Sequence, residues 1–109
     1  MTARRVHGVF ERGDLVTVGS PPGQRRALVI SPGTYNVRAR ALLVVPVVEL
    51  GRRGPFEVPL GGEMASAVAL ADQVRHLDLD HQPVVKVGSA AAAVVLAVLA
   101  RSRELLAEE

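Results

Sequence analysis

The chain has 109 residues, a formal charge of only +2, 49% hydrophobic residues and 3% aromatic residues. That length fits one domain spanning residues 1–109, with a core of Val, Leu, Ile and Ala in place of aromatic rings. The absence of cysteine excludes disulfides and thiolate-bound zinc.

The basic residues are unevenly chosen, twelve arginines against the single lysine Lys86. Arginine's planar fork binds phosphate bidentately, which suits nucleic acid. A GC-rich coding sequence would leave the same bias, along with many Ala, Gly and Pro, so composition alone does not decide. The opening "MTARRVHGVF" lacks the apolar core of a signal peptide. The longest apolar run, residues 90–100, is shorter than the ~20 residues that span a bilayer. The expectation is a soluble, cytoplasmic protein without membrane contact.

In chain order, "DLVTVG" (14–19) is β-branched and partly alternating, which predicts a first strand. "PPGQ" predicts a turn, with Pro22 and Gly23 suited to the central positions of type II. "RALVIS" (26–31) and "ALLVVPVV" (41–48) are near-continuous apolar runs, as in strands buried on both faces of a small barrel or closed, curved sheet. A polar turn is expected between them, after Ser31-Pro32. Pro46 argues for a bulge or an edge within the third strand. "GRRG" (51–54) is a turn signal, and "PFEVPL" (55–60) reads as the strand returning in a hairpin. "AVALADQVRHLDLD" and "PVVKVG" add two extended segments; late in the first, Val74, His76 and Asp78 share one face and Arg75, Leu77 and Leu79 the other. The final stretch predicts a helix capped by Ser89, with Val95, Leu99, Ser102 and Leu106 as its apolar stripe and fraying at Glu108 and Glu109. The outline is five to seven short strands and one C-terminal helix.

"RGDLVTV", "GQRRALVISPGTYN", "VVPVV", "GPFEVPL" and "ALADQVRHLD" together resemble, in sequence and order, the MazF/PemK-like toxins. The resemblance runs from about Glu11 into the C-terminal helix, and Arg-x-Ala-x-Val-x-Ser-Pro-x-x-Tyr-Asn is its most specific block. It implies a mainly β fold, an SH3-like small barrel with a C-terminal helix, usually a homodimer. It also implies metal-independent cleavage of single-stranded RNA, leaving a 2′,3′-cyclic phosphate and a 5′-hydroxyl, without a cofactor. A cognate antitoxin with an acidic C-terminal segment is the implied partner.

By the same resemblance, Arg25 stands where the scissile phosphate binds. A guanidinium stays protonated, so its implied role is to stabilise the charge of the phosphorane. The family's second catalytic residue, a Thr or Ser two positions after the third-strand proline, corresponds here to Val48. Valine keeps the shape and loses the hydroxyl, a change that typically costs ~10²–10³ in rate. Relatives usually carry proline at Arg26, and the first loop, "GSPPGQ", is short and stiff where theirs is long and mobile.

Arg25 and Arg26 are adjacent on a strand and point to opposite faces. Arg26 is therefore a candidate contact to a flanking RNA phosphate or to the antitoxin. Glu49 reaches the Arg25 side only if the strand bulges near Pro46. Thr17 and Ser31 are further hydroxyls near the expected site. Asp72 and Gln73 match a recurrent Asp-Gln pair of the family, Asp72 as an acid/base or RNA-binding candidate and Gln73 as an RNA contact. Arg52 and Arg53 are candidate phosphate contacts in the hairpin turn. Tyr35 is the best candidate for stacking on a base, and Phe56 reads as core. His7, His76 and His81 lack zinc-like spacing, and Asp78, Asp80 and His81 lack the rest of a calcium loop, so no metal site is expected. The alternatives are a non-cleaving protein that binds RNA or antitoxin, and a CcdB-like gyrase inhibitor. The latter acts through an aromatic C-terminal tail, which "LLAEE" lacks.

Overall fold

The computed structural model describes residues 9–49, 51 and 54–107. Seven strands and two helices follow one another as β1 (Asp14–Val18), β2 (Arg25–Val29), α1 (Gly33–Ala39), β3 (Ala41–Glu49), β4 (Glu57–Gly61), β5 (Met64–Leu70), β6 (Arg75–Asp78), β7 (Val84–Ser89) and α2 (Ala92–Ala107). All strand pairings are antiparallel, in the order β4-β5-β3-β2-β1-β7, with β6 also paired to β3. The expected closed barrel is therefore an open sheet among the described residues, with β4 and β7 at the two ends of the path.

β3 organises the sheet because it is long enough to serve three partners. On one side it pairs with β2 from Val44 to Val47. On the other it pairs with β6 over Ala41–Val44 and then with β5 over Val47–Glu49. Pro46 falls in the gap between those two partners. Its missing N–H costs no ladder bond there, and the β2 register passes it without a shift. The proline thus marks a change of neighbour, not a bulge.

The continuous apolar runs have a simple cause: each face of the sheet builds its own core. One face gathers Leu15, Leu28, Val45, Val47, Ala67 and Ala69 under Val98 of α2. The other gathers Val16, Ala27, Val29, Leu42, Val44 and Leu77 around Phe10. Phe56 packs against the first of these cores, as expected.

Several local expectations are corrected. β4 does not return along β3; it pairs with β5, through the two-residue loop Gly62–Glu63. Gly62 takes a φ of 58° there, a conformation that glycine adopts readily in a tight turn. The first turn is centred on Pro21 and Pro22, since the Gly23 N–H donates to the Ser20 carbonyl (3.0 Å). The polar turn after Ser31-Pro32 is the short helix α1, whose seven residues give too little periodicity to read. Ser89 ends β7 opposite Asp14 and does not cap α2, because strand pairing continues to the Ala90 N–H, which donates to the Gly13 carbonyl. The buried stripe of α2 is Val95, Val98 and Ser102, with Leu99 half-buried; Leu106 is 84% exposed, since the helix runs past the sheet. Glu108 and Glu109 lie outside the described residues.

Two polar groups fix the ends of the fold. Asn36 is fully buried; its Nδ2 donates to the Phe10 carbonyl (2.7 Å) and the Ser31 carbonyl (3.2 Å). Its Oδ1 accepts from the Ser31 hydroxyl (2.5 Å), which itself accepts from the Leu43 N–H (3.0 Å). Asp14, also buried, accepts from the Glu11 N–H (2.9 Å) and pairs with Lys86 (3.1 Å).

Candidate functional site

The face that carries Ala27 and Val44 is closed by its core at one end and opens into a cleft of about 510 Å³ at the other. Its walls include Val18, Arg25, Pro46, Arg75 and Gln82. The register explains the grouping. Arg25 lies opposite Val18, Ala27 opposite Pro46, and Arg75 opposite Val44, and directly opposed residues share a face. One step past the last β2–β3 pair, Arg26 with Val47, the same register sets Arg25 beside Val48. By that continuation Arg25 and Val48 share a face, although Val48, 36% exposed, is not among the residues lining the cleft. Among the described residues, no carboxylate lines the cleft. A chloride-sized or phosphate-sized anion there would meet guanidinium groups and apolar walls.

Arg26 turns to the opposite face, as the alternation requires. Its guanidinium donates to Glu49 (2.6 Å), and the other Glu49 oxygen accepts from the Ser66 hydroxyl (2.6 Å). β3 does not bulge, so Glu49 stays on that face and does not reach the Arg25 cleft. The Ser66 hydroxyl, and after it Arg26, hold the Glu49 carboxyl below the ordinary carboxylate range. A carboxylate kept ionised by two partners is a poor proton acceptor. Thr17 lies opposite Arg26 and shares its face, away from Arg25. Ser31 is buried and engaged with Asn36 and Leu43 at the far end of β2.

Asp72 and Gln73 occupy the exposed turn between β5 and β6, closed by the Gln73 N–H donating to the Leu70 carbonyl (3.0 Å). The Gln73 side-chain oxygen accepts from the Arg75 guanidinium (3.1 Å). Tyr35 is exposed, yet α1 follows the far end of β2. Four residues of strand, ~13 Å, separate that end from Arg25, so Tyr35 is not brought to the cleft. Arg52, Arg53 and His7 lie outside the described residues. Arg75 is the cleft residue that the sequence reading left without a role. The signal for it was its face, shared with the buried Leu77.

A second cleft, about 590 Å³, opens between the β4–β5 hairpin and β7, walled by Leu15, Val47, Leu60, Met64 and Val87. It is the larger, but its charged residues are the acidic Glu63 and an Arg26 already paired to Glu49. Chemistry, not size, selects the first cleft. Among the described residues, no helix is long and apolar enough to cross a membrane.

A small open antiparallel sheet, with a C-terminal helix over one face and arginines beside a cleft at the opposite one, defines a mainly β protein with a C-terminal helix. The chain belongs to the PemK-like, MazF-like toxins of type II toxin-antitoxin systems, whose family pattern matches residues 11–106. It is 40% identical over 76 residues to the endoribonuclease toxin MazF of Escherichia coli (strain K12), covering 63% of this chain and 68% of that one. Over 105 residues it is 37% identical to the endoribonuclease toxin ChpB of the same organism, covering 84% and 90%. In structure it is similar to MazF in a MazE-MazF crystal from Deinococcus radiodurans, with TM-score 0.83, 33% identity, and coverage of 93% of this chain and 98% of that one. A Mycobacterial endoribonuclease solved with its cognate antitoxin shares the fold at 19% identity, with TM-score 0.76.

Proposed function

We propose that this chain is a MazF-like endoribonuclease toxin of a toxin-antitoxin pair, cleaving single-stranded RNA at the Arg25 cleft. The observation that carries the reading is a cleft with Arg25 on its wall and, among the described residues, no carboxylate in its lining, in a chain of this family. An RNA 2′-hydroxyl attacks the adjacent phosphorus and the 5′-oxygen leaves, giving a 2′,3′-cyclic phosphate and a 5′-hydroxyl. Negative charge builds on the phosphorane oxygens in that step. A guanidinium already aimed there lowers the barrier because it interacts more strongly with the transition state than with the substrate. Holding Arg25 at a strand end limits its wandering. Its partner is an antitoxin whose acidic segment competes for the same cations. The working unit is a homodimer of this toxin domain, acting in the cytoplasm where its RNA is found.

The test is incubation of antitoxin-free protein with a long mixed-sequence RNA in excess chelator, followed by mapping of the new ends. Cleavage leaving 5′-hydroxyl ends is expected. Val48 favours a second reading, a protein that binds RNA or antitoxin without cutting. Tight binding without cleavage, together with cleavage restored in Val48→Thr, would select that reading.

A further inference from the structure

The arginines of the described residues divide sharply by what they touch. Arg12 donates to the Ile30 carbonyl, Arg26 to Glu49, Arg40 to Asp80, and Arg101 to the Pro55 carbonyl. Arg38 and Arg103 stand on α1 and α2, away from the cleft. Arg25, Arg26 and Arg75 all border the cleft, but Arg26 is paired to Glu49 on the other face of the sheet, whereas neither Arg25 nor Arg75 forms an ion pair with a described carboxylate.

Arg75 differs from an ordinary surface arginine in one respect. The Gln73 side-chain oxygen accepts one of its N–H groups, which steadies the guanidinium without neutralising it. An amide oxygen leaves the full positive charge available, whereas a carboxylate would have consumed it. Arg75 is also anchored from below, since its strand neighbour Leu77 is buried in the core of that face.

The geometry assigns Arg75 as a second phosphate-binding residue, held in place by Gln73, which grips the RNA backbone beside the phosphate at Arg25. This rests on the proposed cleavage of RNA and adds a residue to it. The register puts Arg75 opposite Val44 and Arg25 beside Val48, four residues apart along β3 and two strand spacings across. Their Cα atoms are then ~16 Å apart, a gap that two extended arginine side chains narrow to a short stretch of single strand. One cation sits at the bond being broken and the other holds the strand that leads to it. Arg75 therefore governs affinity, and Arg25 the chemical step. Gln73 is a positioning residue and need not touch RNA itself.

The experiment is equilibrium binding of a short 2′-deoxy oligonucleotide, which lacks the attacking hydroxyl, by fluorescence anisotropy between about 50 and 200 mM salt. Arg75→Ala is expected to weaken binding about tenfold, equally for oligonucleotides of different sequence. Its log–log salt slope should fall by about 0.7, the loss of one phosphate contact on a single strand. Arg75→Lys should keep the slope. Gln73→Ala should weaken binding less and also keep the slope, because the charge remains. An Arg75→Ala slope equal to the native one overturns the assignment, even if affinity falls. Because the oligonucleotide is never cut, this outcome is independent of whether the native protein cleaves RNA. Native protein that binds the oligonucleotide without salt dependence would instead overturn the reading of the cleft itself. Thermal melting of Arg75→Ala within a few degrees of native excludes unfolding as the cause.

Discussion

Replacing Asn36 by alanine tests whether the Ser-Pro-x-x-Tyr-Asn block is there for the fold. Asn36 is 2% exposed and its side chain makes three hydrogen bonds, two donated by Nδ2 and one accepted by Oδ1. Alanine leaves the Phe10 and Ser31 carbonyls without those donors at a buried junction of three segments. Each typical buried hydrogen bond contributes about 1 kcal/mol net, and an orphaned buried partner costs about 1–3 kcal/mol. The Ser31 hydroxyl keeps one interaction, with the Leu43 N–H, so not all three terms apply in full. A loss of about 3 kcal/mol is expected, a large part of the 5–15 kcal/mol typical of a domain. At roughly 4–8 °C per kcal/mol for a chain of this size, the melting temperature should fall by about 12–24 °C. The assay is thermal and urea unfolding of native protein, Asn36→Ala, Ser31→Ala and the double variant. The double variant should lose less than the sum of the singles, because both remove the same bond. A melting shift below about 4 °C for Asn36→Ala would refute the reasoning.

Further outcomes follow from the same geometry. Val48→Thr adds a hydroxyl on the Arg25 face at a position exposed enough to keep it solvated, and should raise the cleavage rate by about 10² with little change in stability, read by initial rates on one RNA. Lys86→Met should destabilise by about 1–3 kcal/mol in urea, because buried Asp14 keeps only its bond from the Glu11 N–H. Asp78, Asp80 and Glu49 all have carboxyls held below their ordinary range, chiefly by the Asp80 N–H, by Arg40 and by Ser66 respectively. The folded protein therefore binds fewer protons than the unfolded chain in the acid range. Stability from these groups is complete above the unfolded carboxylate value of about 4 and is lost as pH falls through the folded values. Urea midpoints measured on acidification should fall less steeply for Glu49→Gln than for native protein.

Much of the fold was legible because the two apolar runs and the β-branched segments are long. The register was harder to read. Nothing local says that β5, and not β4, lies beside β3, since that depends on which connection can turn in two residues. Gly62 gave that information, but it lies outside the run quoted as a hairpin. Helix α1 escaped because its seven residues hide under a Ser-Pro break, and its single buried side chain is the polar Asn36. The cleft was legible at Arg25 through motif alone. Arg75 shares a strand face with Leu77 in the sequence pattern, but a lone arginine on a short strand carries no signal until the cleft shows which arginines are already engaged.

The most direct measurement is single-turnover cleavage of one RNA at rising protein concentration, comparing native protein with Arg25→Ala. If Arg25 stabilises the phosphorane, the plateau rate should drop by at least about 10², with a much smaller change in the concentration at half saturation. Equal plateau rates, with only the half-saturation point displaced, would mean that Arg25 merely binds RNA and that the cleft does its chemistry with other groups.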